Sequence, residues 1–553
     1  MFIRQITSYI SLIVLALLVI PVALTALFIN NLYFYDPYAY LLQASGNVYL
    51  YYKHSITDVP FQGLLKIAIL ISRSTDILTI GKLYGAFLFG LMLNAIFLTI
   101  YLTTRSIIVS FIVVILVFSN PTISLFGIMP YREAFGTLVY VLSLMFIFTA
   151  FKFKINILSL FSSVFFIIAI ITRPELLVYT GALNFVFTIW LLINSNFKYV
   201  IRIKYLLLII ITLNYICLTL LYVGQIILFG SIFPYFSNPG YIQRVFNSLY
   251  NFQNYRMILE LLFDDFLILS QYFAPSYLVN FLLTISLVIS NIILGRKDNR
   301  SVQNIFAIIA PMSIIHGLTL VYARLPSPRL MILPKVLIYL SFGILIGRFA
   351  SALNNRFKSR MVCIKYWEKR ANPKVITKFS VKNLMKIFII LLIVILVIPR
   401  ANFSIESIAN ASDCLGVYND VLKILINSGL DDSVILVPMY PVFRLTAPKE
   451  IQDNLVSYLD IWSKAGMAFD INAPERERAT VAQFLREELI NNTKIRYIVI
   501  DNVDDSINML LPYMNWNGLY IKKLAVYTRL YKPWRWRIIV EVFEILARYP
   551  EWT

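Results

Sequence analysis

Acidic residues, histidine and cysteine are scarce in this chain of 553 residues. Only 14% of the residues are charged, with 29 acidic against 49 basic side chains, and there are two histidines and three cysteines. Soluble domains are nearer a quarter charged, so the composition excludes an ordinary soluble multidomain protein. Two histidines nearly exclude a zinc enzyme built on histidine ligands. The three cysteines show no metal-binding spacing.

The charge is distributed unevenly along the chain. Residues 1–400 contain 33 basic and 10 acidic side chains, whereas residues 401–553 contain 16 and 19. In a soluble protein a net charge of +20 would favour a nucleic-acid partner. Here the cations lie between long apolar runs, so we expect the lipid bilayer as a partner and no nucleic acid. The sequence predicts a basic membrane body, 1–400, and a slightly acidic soluble tail, 401–553.

Apolar runs of membrane-spanning length recur through the body. A span needs about 20 apolar residues, and the first run is too long for the core of a cleaved signal. We predict about eleven spans, the third of which is short and breaks at Asn120-Pro121. They lie at 9–29, 81–103, 106–120, 134–151, 155–172, 176–195, 205–229, 274–294, 303–322, 330–347 and 386–399.

Charge indicates the orientation of these spans. Loops rich in lysine and arginine stay on the cytoplasmic side, and loop 348–386 carries eleven of them with one acid, Glu368. Of the ten acids before residue 401, eight then lie outside. We therefore expect a multi-pass protein of the cell membrane with a cytoplasmic amino terminus and an extracytoplasmic tail.

The outer side carries three longer stretches. Residues 30–80 and 230–273 are rich in aromatic residues and are predicted to form short interfacial helices. The tail is predicted to be an α/β domain, since short apolar runs bounded by polar residues are typical of buried strands. Its predicted strands lie at 434–437, 495–500 and 524–531, and its helices at 416–428, 474–490 and 537–548.

Polar clusters mark the predicted outer ends of four spans. Charged side chains there are costly unless they face a cavity or water. A carboxylate could take the proton of an attacking hydroxyl, and guanidinium groups could bind a phosphate. The clusters are Tyr35-Asp36-Pro37-Tyr38, Pro130-Tyr131-Arg132-Glu133, Thr172-Arg173-Pro174-Glu175, and Arg324 to Arg329 with Lys335 beyond it.

Simpler interpretations of the same residues exist. Asp36 could be a turn residue before proline, and the Arg–Glu pairs could be local ion pairs at helix ends. Arg324 and Arg329 could reach lipid headgroups from the ends of spans.

With Ser119-Asn120-Pro121 before the second cluster and Pro328-Arg329 opening a late span, the chain resembles the GT-C superfamily of integral membrane glycosyltransferases. That superfamily includes protein O-mannosyltransferases, aminoarabinose transferases of lipid A and oligosaccharyltransferases. The resemblance covers most of 1–400 in order, and Thr172 to Glu175 is similar to a TRPE turn of such enzymes. Two features depart from the pattern: Pro37 replaces the second acid of a paired Asp-Glu, and the tail has no WWD-like motif.

The resemblance implies the GT-C fold and an inverting transfer from a polyprenyl-phosphate sugar to a protein, glycan or lipid acceptor outside the membrane. Asp36 would be the catalytic base. Glu133 would match a second acidic position, which in some members helps to bind a metal or the acceptor. A divalent cation, Mg²⁺ or Mn²⁺, could therefore be a cofactor, although the resemblance assigns no metal ligands. The remaining implied contacts are Arg173, Arg324, Arg329 and Lys335 for the donor phosphate, and Tyr38, Tyr131, Arg132 and Glu175 for the substrates.

Two alternatives stay open from the sequence. One is a transporter or lipid-binding membrane protein, although a transporter would carry ionisable groups near the midplane and inverted repeats. The other is a family member without activity that serves as an assembly or binding subunit.

Overall fold

The computed structural model of the chain describes most of the amino-terminal third and most of the tail. It covers residues 2–29, 32, 35–46, 59–72, 76–153, 155, 157–173, 329, 332–337, 339–341, 343–344, 347, 415–429, 433–467, 473–531 and 536–549, with isolated positions at 216, 219–220, 223 and 405. Apart from those isolated positions, several predicted features lie outside the described residues. They are the spans at 176–195, 205–229, 274–294, 303–322 and 386–399, the outer segment 230–273, the loop 348–386, and the site residues Glu175 and Arg324.

The chain divides into two compact units. The first, called the helical unit here, consists of Met1–Ala23, Ile56–Phe61 and Gly85–Ile405. The second, called the mixed unit, consists of Leu24–Ser55, Gln62–Tyr84 and Glu406–Thr553. The tail therefore shares its unit with two segments from the amino-terminal part of the chain.

Apolar sequence from residue 2 to residue 172 forms a series of helices. They are α1 (Phe2–Phe28), α2 (Tyr35–Ala44), α3 (Val59–Ser72), α4 (Ile77–Thr104), α5 (Ile107–Phe118), α6 (Pro121–Gly127), α7 (Arg132–Phe153) and α8 (Ile157–Thr172). Each predicted span in this range coincides with a helix. Of the residues described, three helical stretches are long and apolar enough to cross a membrane: Ile10–Leu27, Ile77–Thr104 and Arg132–Ala150.

The predicted break at Asn120-Pro121 is present between α5 and α6. The Asn120 side chain accepts a hydrogen bond from the backbone N–H of Ile123 at 3.0 Å and so caps α6. Pro121 occupies the first turn of α6, where its missing N–H costs no hydrogen bond. A polar cap and a proline at adjacent positions therefore end one apolar helix and begin the next.

The mixed unit contains a five-stranded sheet in the order β2-β1-β3-β5-β4. Strands β1, β2 and β3 are parallel, whereas β5 pairs antiparallel with both β3 and β4. The strands are β1 (Val434–Val437), β2 (Leu455–Ser457), β3 (Ile495–Asp501), β4 (Leu519–Tyr531) and β5 (Trp536–Arg548).

Helices of the tail pack against this sheet around a core that includes Trp462, Tyr458 and Leu485. The indole N–H of Trp462 donates to the carbonyl of Ser506 at 3.0 Å, and the hydroxyl of Tyr458 donates to the carbonyl of Val499 at 2.8 Å. Both large side chains thus bury apolar surface without losing a hydrogen bond. The helices are α9 (Gly416–Asn427), α10 (Tyr440–Thr446), α11 (Lys449–Gln452), α12 (Tyr458–Lys464), α13 (Glu475–Asn491) and α14 (Asp505–Asn508).

One predicted element of the tail is wrong. Residues 537–548 were expected to form a helix, but they belong to strand β5. Ile538, Val540 and Val542 are buried at alternate positions, which is the two-residue period of a strand. These β-branched side chains face the core, and the backbone of β5 forms hydrogen bonds with β3 on one edge and β4 on the other. The strand is therefore favoured over the helix that the spacing predicts.

Candidate functional site

The turn before α7 carries a buried aromatic ring, and the first turn of the helix carries a buried carboxylate. Glu133 lies in the first turn of α7, where the helix N-terminus favours a negative charge. Tyr131 precedes the helix, and its backbone N–H donates to the carbonyl of Met129 at 2.7 Å. This tight turn fixes the positions from which both side chains project.

Two glycines bring α4 against this turn. A Cβ atom on Gly85 would lie 2.6 Å from the carbonyl carbon of Met129 and 2.7 Å from the nitrogen of Pro130. A Cβ atom on Gly127 would lie 2.6 Å from the ring of Phe89, one turn further along α4. The turn therefore rests on the backbone of α4. The sequence pattern alone does not single out either glycine.

Arg329 reaches the same turn from a distant part of the chain. Its Nε lies 3.6 Å from Oε1 of Glu133, and its guanidinium carbon lies 5.7 Å from the centre of the Tyr131 ring. The side chain of Arg329 is 29% exposed, whereas that of Glu133 is 5% exposed. A carboxylate and an aromatic face thus hold the guanidinium, whose exposed part can still donate to an anionic ligand.

Lys335 contributes a second cation that is bound to α6. Its ammonium donates to the hydroxyl of Thr122 at 3.1 Å, and only 4% of the residue is exposed. One helical turn later, the hydroxyl of Tyr339 accepts a hydrogen bond from the Asn120 side chain at 3.2 Å. The helical segment Ile332–Ser341 is therefore joined to the start of α6 at two points. Thr122 and Tyr339 are hydrogen-bond partners in this region that the sequence does not predict.

Arg173 passes alongside the first turns of α7. It follows α8 and is 2% exposed. A Cβ atom on Gly136 would lie 2.9 Å from Cδ and 3.0 Å from Cγ of Arg173. Because Gly136 is three residues after Glu133, it lies on the same side of α7 one turn away. An isolated glycine in an apolar helix is the sequence signal that could have predicted this close approach.

Tyr131 and Glu133, which both lie beside Arg329, are grouped here with the neighbouring buried cations Arg173, beside α7, and Lys335, beside α6, as the α7 site. One buried acid and three cations give it a net positive charge, which suits a phosphate or another anion. Within the described part of the chain, Oε2 of Glu133 has no hydrogen-bond partner. A buried oxygen in that state costs about 1–3 kcal/mol, so a ligand hydroxyl donating to it would be favourable.

The other predicted residues of the first and second clusters lie as follows. Asp36 is in the first turn of α2, in the mixed unit, and is half-buried. The ring of Tyr38 is buried, and its hydroxyl donates to the carbonyl of Leu32 at 3.0 Å. Arg132 is half-buried at the start of α7.

A divalent cation does not fit the donors described at the α7 site. Glu133 is the only one of its residues with a carboxylate, and its Oε1 already faces a guanidinium nitrogen at 3.6 Å. Mg²⁺ and Mn²⁺ prefer several oxygen ligands, and no group of three or more His, Cys, Asp or Glu that could hold a metal occurs among the described residues. The described residues of the α7 site therefore provide too few oxygen ligands for a divalent cation.

Comparison with known proteins gives a match in structure alone. No protein-family model matches the chain, and no curated protein matches its sequence. Among the solved structures, 17 chains match.

One of them is the crystal structure of ArnT from Cupriavidus metallidurans bound to undecaprenyl phosphate. The match covers 97% of this chain and 98% of that chain, with 11% sequence identity and a TM-score of 0.52. The chain therefore shares the fold of that structure, in agreement with the resemblance seen in the sequence, and three helices of its described part are long and apolar enough to cross a membrane.

Proposed function

We propose that this protein is a membrane glycosyltransferase that moves a sugar from a polyprenyl-phosphate carrier to an acceptor at the extracytoplasmic face. The observation that carries the proposal is the α7 site, where Arg329 lies 3.6 Å from the buried Glu133 in a chain with a GT-C-like fold. A partly exposed guanidinium held in place by a carboxylate and a ring suits a phosphate that stays in the membrane interface.

The proposed reaction is a single displacement. An oxygen of the acceptor bonds to the anomeric carbon of the donor sugar, and the bond from that carbon to the phosphate oxygen breaks. Asp36 takes the proton of the acceptor hydroxyl as general base. Polyprenyl phosphate leaves, and the configuration at the anomeric carbon is inverted.

The cations are proposed to bind the donor phosphate and to stabilise the charge that develops on it as the bond breaks. Arg329 and Lys335 are the principal contacts, with Arg173 and Arg324 contributing. Glu133 keeps Arg329 in place and offers Oε2 to a sugar or acceptor hydroxyl. The substrates are proposed to contact Tyr38, Tyr131, Arg132 and Glu175 as well.

The proposed arrangement in the membrane follows from the charge pattern of the sequence. Eleven spans place the amino terminus in the cytoplasm and the tail outside. The acceptor, whether protein, glycan or lipid, then reaches Asp36 from the outer side. The donor enters from the bilayer.

The function is tested in vesicles that contain the purified protein and a panel of polyprenyl-phosphate sugars. We expect release of polyprenyl phosphate with transfer of the sugar, and we expect Asp36→Asn to abolish transfer while donor binding is retained. Asp76→Asn is the matched control. Asp76 is an exposed acid whose carboxylate accepts from the N–H of Thr79 at 3.0 Å, a cap that asparagine also forms.

Normal transfer by Asp36→Asn would disprove the role of Asp36. Donor binding without turnover in the wild-type protein would instead favour an inactive assembly subunit. Movement of the intact donor across the bilayer would favour a transporter.

A further inference from the structure

Helix α2, which carries Asp36 in its first turn, packs on the tail within the mixed unit. Leu42 of α2 and Leu459 of α12 form a buried cluster, and Tyr440 and Leu445 of α10 pack against it. Leu42 is 1% exposed and Leu459 is 8% exposed. Two helices from the end of the chain thus enclose one side chain of the helix that carries the proposed base.

The opposite faces of α2 are held by α3 and α4. The amide of Gln62 on α3 donates to the side-chain oxygen of Gln43 at 3.1 Å. A Cβ atom on Gly81 of α4 would lie 2.5 Å from Cδ1 of Leu41, so the glycine lets this leucine pack closely against α4. Consecutive residues of α2 therefore contact different parts of the unit: Leu41 contacts α4, Leu42 contacts the tail helices α10 and α12, and Gln43 contacts α3.

The tail side of this contact is itself fixed by the ends of two parallel strands. Met439 follows β1, has a φ of +45°, and donates its N–H to Oδ2 of Asp504 at 2.6 Å. Asp504 follows β3 and also accepts from the N–H of Ser506 at 2.8 Å. Because Met439 directly precedes α10, the carboxylate after β3 fixes where α10 begins. The sheet thus determines the position of the surface that receives Leu42.

We propose that the tail is a positioning element for Asp36, and that Leu42, Leu459, Tyr440 and Leu445 are positioning residues for sugar transfer. This inference rests on the proposed function. It assigns the tail a role in turnover, because a general base must lie within hydrogen-bond reach of the proton that it removes. A displacement of about 1 Å by a change far from the chemistry can lower a rate by roughly a hundredfold.

The test uses Leu42→Ala, Leu459→Ala and the double variant in the full-length protein. We expect each single variant to lower the turnover number by roughly tenfold or more while the KM for the donor changes less than twofold. The double variant should lose little more than either single variant, since both remove the same contact. Leu459→Met, which keeps the volume, should restore most of the turnover.

Leu485→Ala is the matched control. Leu485 is 1% exposed and belongs to the main core of the tail, away from the cluster around Leu42. We expect it to lower the stability of the tail, with unchanged turnover per folded molecule. An equal loss of turnover in Leu485→Ala and Leu459→Ala, at equal folded fractions, would overturn the proposal. So would normal turnover in Leu42→Ala.

Hydrogen exchange separates this inference from the proposed function. In the full-length protein, Leu459→Ala should increase exchange of the α2 amides at 39–44 and leave those of α7 unchanged, whereas Leu485→Ala should not affect α2. This result does not depend on catalysis, so the docking can hold even if the wild-type protein transfers no sugar. Unchanged exchange of α2 in Leu459→Ala would overturn the docking itself.

Discussion

Glu133 and Arg329 form an ion pair, and removing one side chain should cost more stability than removing the other. Glu133 is buried, whereas Arg329 is partly exposed, at 5% and 29% for the side chains. Removing the arginine leaves a buried carboxylate without its cation, which is costly. Removing the carboxylate leaves an arginine that can still turn to water. The pair thus has a stability role in addition to any role with a donor phosphate.

A double-mutant comparison separates these two roles. We expect Arg329→Ala to lower the free energy of unfolding by about 1–3 kcal/mol, after allowing for its partial exposure, and to raise the donor concentration needed for half-maximal transfer. Adding Glu133→Gln should recover much of the stability and none of the donor affinity. Thermal unfolding in detergent and donor titration measure the two effects. Recovery of donor affinity in the double variant would show that Arg329 acts only through Glu133.

Asp501 is a buried carboxylate in the tail whose titration should affect stability. Burial, and then the charge of Asp504, raise the pKa of Asp501 to about 6, against the opposing effect of hydrogen bonds from Tyr418, Asp504 and Val503. In the unfolded chain its pKa is near 4. The folded protein therefore holds this proton more tightly, so its contribution is complete below about pH 4 and is lost as the pH rises through about 6.

Replacing Asp501 by asparagine should remove this pH dependence. We expect Asp501→Asn to unfold at a higher temperature than the wild type at pH 7.5, by the equivalent of about 1–3 kcal/mol, and to differ little at pH 4. Asp453→Asn is the control because Asp453 is exposed and pairs with Arg444. The measurement is the thermal unfolding midpoint of the full chain between pH 4 and pH 7.5. A constant difference across that range would contradict the assignment.

Site residues of a rare type could be predicted from the sequence. Site residues whose role depends on contact with a distant part of the chain could not. Glu133 and Arg329 stand out because acids are rare in the body and both occur at the predicted ends of spans. Thr122 and Tyr339 are ordinary polar residues whose role depends on a distant Lys335 and Asn120. These hydrogen bonds form only when the helical segment Ile332–Ser341 packs beside α6.

At the scale of elements, close backbone contact between α4 and the turn before α7 determines the geometry of the site. We expect Gly85→Ala to destabilise the protein by about 1–3 kcal/mol through overpacking and to lower transfer more than stability alone explains, since the turn must move. Gly63→Ala is the matched control. Gly63 lies within α3, and a Cβ atom there would meet none of the described residues within 4 Å. Alanine should be neutral or stabilise by up to about 1 kcal/mol. Thermal unfolding and transfer by the two variants give the comparison, and equal effects would contradict the packing argument.

The helices and strands could be predicted where the apolar residues follow a single pattern, either a long apolar run or the spacing of one element type. Long apolar runs gave α1, α4 and α7, and the asparagine-proline pair gave the break before α6. The sequence of β5 fits a helix as well as a strand. Its apolar residues Ile538, Val540 and Val542 follow the two-residue period of a strand, but Ile539, Phe543 and Ile545 between and after them also fit the period of a helix. Pairing with β3 and β4 decides between the two, and no local pattern contains that information.

At the scale of the whole molecule, charge sidedness predicts which parts face outward. We expect a single cysteine introduced by Ser404→Cys, in a chain with its three natural cysteines replaced, to react with an impermeant thiol reagent added outside intact cells. A cysteine introduced by Ser359→Cys, in the basic loop 348–386, should react only after permeabilisation. The reverse pattern would invert the proposed orientation. It would leave the contacts within each unit unchanged.

The general fold could be predicted from the order of several weak motifs, since their shared sidedness across the chain is itself informative. The sequence could not predict that α2 belongs to the same unit as the tail. Leu42 and Leu459 are ordinary apolar residues in amphipathic segments, and nothing in either segment specifies the other. Their pairing depends on the complete path of the chain.

This pairing has a consequence for biosynthesis. Leu459 is translated roughly 20–80 s after Leu42, at the usual elongation rates of about 5–20 residues per second. Until then the helix that bears Asp36 has no tail surface to pack against. In a nascent or prematurely terminated chain, the tail would not yet hold the proposed base Asp36 in position. Competence for transfer would therefore arise only when the tail emerges and folds.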